Sequence, residues 1–251
     1  MSSGFLKSIY RNEPGKNRSS VLRRAFRRVR REAYMKAVFV HSLVRSRTRG
    51  RPAFYVIGDS HVGMFYKVSP YSVHWLGPAT AYRLKDPGST TRSNERLFRI
   101  LKWIVKPDDK VLLVFGEVDC RVHIYNQFVK RGRAVPMEEL IDDTVESYGV
   151  VLDRIGKMGI DFYVSSVPPA SREPNVFAVP NYPPPEARCF INKAFNERLR
   201  DYCAAHGYPF VDVYSRVVDD EGFILDEFSA DGTHLNRETI EFFNEGLALR
   251  P

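Results

Sequence analysis

The amino-acid sequence predicts an α/β protein: a three-layer α/β/α sandwich on a mostly parallel five-stranded sheet, with a basic amphipathic helix in front of it. Three observations carry that expectation. From Ala53 onward, short apolar runs alternate with longer segments of helical period. The stretches between those runs are long enough to return each strand to the same sheet in parallel. Finally, the first fifth of the chain differs sharply in charge from the remainder.

That first fifth reads as one element. Between Ser20 and Val44 the apolar residues Val21, Leu22, Ala25, Phe26, Val29, Ala33, Ala37, Val40 and Val44 recur at three- and four-residue steps, with arginines between them. Ser19 or Ser20 is expected to cap this helix, and the stretch from Arg45 to Pro52 to end it. Residues 1–52 carry 15 Lys and Arg against 2 acidic residues, net +13. Residues 53–251 carry 23 against 28, net −5, so the overall charge of +8 comes entirely from the appendage. The mildly acidic body offers no nucleic-acid motif, and no nucleic-acid partner is expected. A basic helix over residues 20–44 suits an anionic membrane surface or an acidic partner, or its apolar stripe packs on the domain.

The domain over residues 53–251 is then laid out as strands and crossovers. Strands are expected at Ala53–Gly58, Val73–Leu76, Lys110–Phe115, Asp161–Ser166 and Pro209–Tyr214. Helices are expected at Ser93–Val105, Met137–Met158, Glu186–His206 and Asn236–Leu249. Functional residues belong in the loops after the carboxyl ends of such strands. The connection from Pro168 to Glu186 carries seven prolines and is expected to wall the active site, with a rigid structural flap as the alternative.

No run approaches the ~18 apolar residues of a membrane-spanning helix, and the N-terminus lacks the apolar core of a signal peptide. The expected location is cytoplasmic, with peripheral contact at the inner membrane face through the helix. Three widely spaced cysteines, Cys120, Cys189 and Cys203, argue against a disulfide framework or a zinc knuckle. No metal and no cofactor are expected.

The chemistry centres on Gly58-Asp59-Ser60-His61, directly after the first strand. A serine on a tight strand-to-helix turn presents its hydroxyl at the top of a parallel sheet, beside N–H groups that stabilise an oxyanion. Asp231-Gly232-Thr233-His234 lies 174 residues later, before the last expected helix. That loop can bring His234 to Ser60 as general base, with Asp231 fixing its tautomer.

Together these blocks resemble the SGNH/GDSL hydrolase family, which carries a Gly-Asp-Ser block near the start and an Asp-x-x-His pair near the end. The resemblance covers essentially all of 53–251 in block order. It implies Ser60 as nucleophile, Asp231 and His234 as its partners, and an oxyanion hole from the Ser60 and Gly77 backbone N–H groups. Gly77, in Leu76-Gly77-Pro78, fits the family's glycine after the second strand. The family's third block reads Gly-x-Asn-Asp, whereas this chain reads Gly116-Glu117-Val118-Asp119-Cys120-Arg121. Val118 cannot donate a hydrogen bond, and loss of one oxyanion donor costs roughly 100- to 1,000-fold in rate. Arg121 and Asn126 are the nearest candidates to compensate or to contact substrate, unless Arg121 pairs with Glu117 or Asp119 and holds the loop.

His61 is either a further polar group in the site or a histidine satisfied by a backbone carbonyl. His74 and His123 carry structural readings alone. Cys120 is a thiol activated by Arg121, or a buried inert cysteine. Two other classes claim the same residues. A two-metal phosphoesterase uses Asp-x-His after a first strand, but its Gly-Asn-His block is absent here. A non-catalytic glycan-binding or scaffold protein could keep the fold with a damaged oxyanion hole. Family knowledge of carbohydrate O-acyl esterases implies a small-molecule or polysaccharide ester as substrate, by hydrolysis or acyl transfer.

Overall fold

The computed structural model describes residues 18–48, 50, 52–172 and 181–248. The chain divides into two compact units, residues 1–49 and residues 50–251.

The first unit contains one helix, α1 (Arg18–Thr48). It starts earlier and ends later than its apolar period suggests, so Ser19 and Ser20 fall within its bounds, and their side chains lie outside the described residues. Arg45 and Arg47 in its last turn suit the negative end of the helix dipole. The side chains of Val21, Leu22, Ala25 and Phe26 lie outside the described residues. Among the described residues, no helix is long and apolar enough to cross a membrane.

The second unit is built on five parallel strands: β1 (Phe54–Gly58), β2 (Tyr71–Trp75), β3 (Lys110–Val114), β4 (Asp161–Ser165) and β5 (Phe210–Val211). Their order is β2-β1-β3-β4-β5, with β1 and β3 in register from Phe54↔Lys110 to Gly58↔Val114. The central strands are apolar on both faces because both faces are covered. Every residue of β1 and all but the first of β3 are buried. Phe54, Val56, Leu112 and Val114 share one core with Phe65, Val213, Ile240 and Phe243. By strand alternation, the buried Tyr55, Ile57, Val111 and Leu113 face the opposite side.

The helices of this unit are α2 (Ser93–Trp103), α3 (Ile124–Lys130), α4 (Met137–Gly156), α5 (Pro185–His206), α6 (Tyr214–Val217) and α7 (Ile240–Gly246). α5 starts with Pro185 in the first turn and ends on Gly207 in the left-handed region. The strand expected to reach Tyr214 stops at Val211, because the N–H groups of Val213 and Tyr214 both donate to Ser166 Oγ at 3.0 Å. The last expected helix opens as a 3₁₀ turn, Arg237–Thr239, capped by Asn236 Oδ1 accepting from Glu238 N–H at 3.0 Å. Helix α3, with the π turn Asp119–His123 before it, is absent from the sequence expectation.

Candidate active site

The site lies at the carboxyl ends of β1, β2 and β3. Gly58, the last residue of β1, is required by close approach: a Cβ there would stand 2.0 Å from the Val114 carbonyl oxygen. The chain then turns through Asp59, whose Oδ1 accepts from His61 N–H at 2.9 Å and so caps a 3₁₀ helix, Ser60–Phe65. Ser60 is the first residue of that helix. Gly77 is the second residue after β2, next to Leu76, whose N–H donates to the Gly58 carbonyl at 2.8 Å.

The second half of the site is a compact turn. Asp231 Oδ1 accepts from the N–H groups of Thr233 and His234 at 3.2 and 2.9 Å, while Ala230 N–H donates to the His234 carbonyl at 2.8 Å. Gly232 adopts φ +75° at the bend, a conformation that glycine takes without Cβ strain.

These two pieces meet. His234 Nε2 is 3.0 Å from Ser60 Oγ, and His234 Nδ1 is 3.0 and 3.1 Å from the two Asp231 oxygens. Asp231 would be pushed up by burial, but the hydrogen bond and charge of His234 and the two backbone N–H groups hold it well below the usual carboxylate range. It is therefore ionised at neutral pH, as an orienting partner for imidazole must be. His234 and Asp231 remain partly open to solvent, with side-chain exposures of 23% and 35%.

The remaining candidates have other partners. Arg121 Nε donates to Glu117 Oε1 at 2.5 Å, so the ion-pair alternative describes it, although it also lines the cleft. Asn126 sits in α3, and its Oδ1 accepts from Asn181 Nδ2 at 3.1 Å. His61 is buried, but its ring faces a carboxylate and no backbone carbonyl: Nε2 is 3.2 Å from Glu117 Oε2. Glu117 therefore matters more than its place as a mere partner for Arg121 suggests. Its only sequence signal is a carboxylate in the position between the third block's Gly116 and Val118.

Asp119 Oδ2 and Oδ1 accept from the N–H groups of Ala81 and Tyr82 at 2.6 and 3.2 Å, tying the third block to the loop after Gly77. Burial pushes the Cys120 thiol well up, helped by Asp119 and Glu117, which fits an inert cysteine. Burial lowers His74 to about 4, so it is neutral at neutral pH. His123 packs on the Tyr82 ring, with centroids 5.0 Å apart. Among the described residues, no group of three or more His, Cys, Asp or Glu is arranged to hold a metal ion. Asp59 Oδ1 accepts from a backbone N–H, and the His61 ring faces Glu117.

Beside the Ser60–His234–Asp231 contacts lies a small open cleft, lined by Arg121, Ser171, Arg188, Asn192 and Thr233 among others. Pro169, Ala170 and Ser171, the start of the proline-rich connection, form part of its wall, and residues 173–180 lie outside the described residues.

Comparison with solved structures decides the fold. A protein of Streptococcus pneumonia described as a platelet activating factor superimposes with a TM-score of 0.59 at 16% identity, covering 92% of this chain and 98% of that one. A GDSL-like lipase of Bacteroides thetaiotaomicron gives 0.55 at 16% identity, covering 84% and 95%. The chain has the GDSL-like hydrolase fold. An acylhydrolase of Bacteroides fragilis gives 0.54 at 17% identity, covering 81% and 90%. No protein-family model matches the chain, and no curated protein matches it in sequence. The GDSL-like fold here comes with a Ser-His-Asp arrangement at the sheet's carboxyl edge.

Proposed function

We propose that the protein is a serine-dependent ester hydrolase or acyl transferase acting on O-acyl groups of a carbohydrate or polysaccharide precursor. The observation that carries this reading is the chain of contacts from Ser60 Oγ to His234 Nε2 at 3.0 Å and from His234 Nδ1 to Asp231 at 3.0 Å.

In this reading Ser60 Oγ attacks the acyl carbonyl while His234 Nε2 takes its proton. Asp231 stabilises the imidazolium, which then protonates the leaving alcohol. Water or another hydroxyl, deprotonated by His234, releases the acyl group. The Ser60 and Gly77 N–H groups face the developing oxyanion, with Val118 contributing no donor. A hydroxyl-rich alcohol portion is supported by the polar lining of the neighbouring cleft, where Ser171, Asn192 and Thr233 offer hydrogen bonds beside two arginines. In this reading the enzyme works in the cytoplasm, with the basic helix over residues 20–44 holding it at an anionic membrane surface.

The deciding experiment is labelling of the purified protein with a fluorophosphonate probe, followed by mass spectrometry of the modified peptide. Modification at Ser60 supports the reading. An unlabelled, folded protein overturns it.

A further inference from the structure

Two buried side chains beside the triad play no part in the chemistry above. His61 follows the nucleophile, and its ring lies against the His234 ring with centroids 4.7 Å apart and planes tilted by 36°. Behind it, His61 Nε2 stands 3.2 Å from Glu117 Oε2, at side-chain exposures of 4% and 7%. That contact is a close polar one between a ring nitrogen and a carboxylate oxygen, outside hydrogen-bond geometry. Glu117 is itself held by Arg121 Nε on its other oxygen. The His61 backbone is fixed too, through its N–H to Asp59.

Burying an imidazole and a carboxylate costs more than filling the same space with apolar groups. Here the two face the one ring in the site that must keep its orientation. His234 sits at an open edge, and its two hydrogen bonds run through ring nitrogens in the ring plane. Such bonds restrain tilt out of that plane weakly, whereas a flat group packed on the face restrains it directly.

The charge states suit this role. Burial lowers the proton affinity of His61, with Glu117 opposing, so the ring beside His234 is neutral at neutral pH. Burial would raise Glu117, but the Arg121 guanidinium on its other oxygen, together with the His61 contact, holds it well below the usual range. The other titratable groups around them, Asp59 and Asp119, are both pushed up by burial. A neutral ring adds no repulsion when His234 takes the Ser60 proton.

We infer that His61 and Glu117 are positioning residues for His234: Glu117, anchored by Arg121, holds the His61 ring as a flat wall that keeps Nε2 of His234 toward Ser60 and Nδ1 toward Asp231. The inference rests on the triad reading for its catalytic meaning, but its geometric content is testable without activity.

The experiment is ¹⁵N NMR of histidine-labelled full-length protein, read beside steady-state kinetics on p-nitrophenyl acetate. The wild type should show one sharp pair of His234 ring resonances, with the proton on Nδ1. His61→Ala should broaden or average that pair and lower kcat about tenfold with KM changed less than about twofold. His61→Phe restores a flat ring, so it should sharpen the resonances and recover kcat to within about threefold of wild type. Glu117→Gln keeps the shape and removes the carboxylate that faces His61, and it should broaden the pair even where His61→Ala does not fold. An unchanged His234 spectrum in both His61→Ala and Glu117→Gln overturns the inference, and so does a His61→Phe variant that behaves like alanine. If the ring responds as expected while Ser60 takes no probe, the positioning inference stands and the serine-ester reading fails. If Ser60 labels normally and the ring is indifferent to both variants, the converse holds.

Discussion

His234 Nε2 stands 3.0 Å from Ser60 Oγ across a sequence separation of 174 residues. The contact joins the strand–turn of β1 to the Asp231–His234 turn, two locally stabilised pieces that only the packing of the sheet and α7 brings together. Hydrogen-bond reach between nucleophile and base is the geometric requirement for general-base activation.

Ser60→Ala should abolish p-nitrophenyl acetate turnover and probe labelling while shifting the melting temperature by no more than a few degrees. The hydroxyl is a small group at the cleft, and its loss leaves no large cavity. Turnover equal to wild type would place the nucleophile elsewhere.

In the proposed mechanism Asp231 acts through His234, so its removal should cost little once His234 is gone. Asp231→Asn combined with His234→Ala should be scarcely slower than His234→Ala alone. Losses that multiply would mean that the two residues act independently.

Asp119 gives a pH signature in stability. Burial raises it from 3.8 to about 7 in the folded protein, against the pull of the Ala81 and Tyr82 N–H groups. The folded state then binds a proton that the unfolded state has released, so this contribution is full below the unfolded value and is lost as pH rises through about 7. Asp119→Asn removes the titration. Thermal melts at about pH 5 and about pH 8 should therefore show the wild type losing more stability with rising pH than Asp119→Asn does. Parallel losses in the two proteins would show that Asp119 titrates normally.

The N-terminal helix predicts salt-sensitive membrane binding. With net +13 in residues 1–52 and about 1 kcal/mol per basic residue near an anionic surface, the full chain should sediment with anionic liposomes. That binding should weaken as salt rises, and neutral liposomes should bind poorly. A chain beginning at Arg51 should stay in the supernatant and keep its Ser60 reactivity. Insolubility of that shorter chain would assign Val21, Leu22, Phe26 and Val29 to a core or subunit interface and end the membrane reading.

The features legible in the bare chain are those that local physics controls. β1 and β3 were legible because strands covered on both faces are almost wholly apolar, and α2, α4 and α5 because their apolar periods are long. The Asp231–His234 pair was legible for the same reason: three residues and one side-chain-capped turn suffice to bring the carboxylate to the ring. Tertiary structure decided the rest. The end of β5 at Val211 depends on Ser166, 47 residues away from Val213, capturing the next N–H groups. The partner of His61 depends on β1 and β3 lying side by side, which carries Glu117 to a ring 56 positions earlier in the chain. Sequence offers Arg121 two carboxylates, Glu117 and Asp119, and His61 a backbone carbonyl or a place in the site, and burial selects the partner: in a low-dielectric interior only a contact of a few ångströms offsets desolvation, and those distances exist only once the sheet has formed.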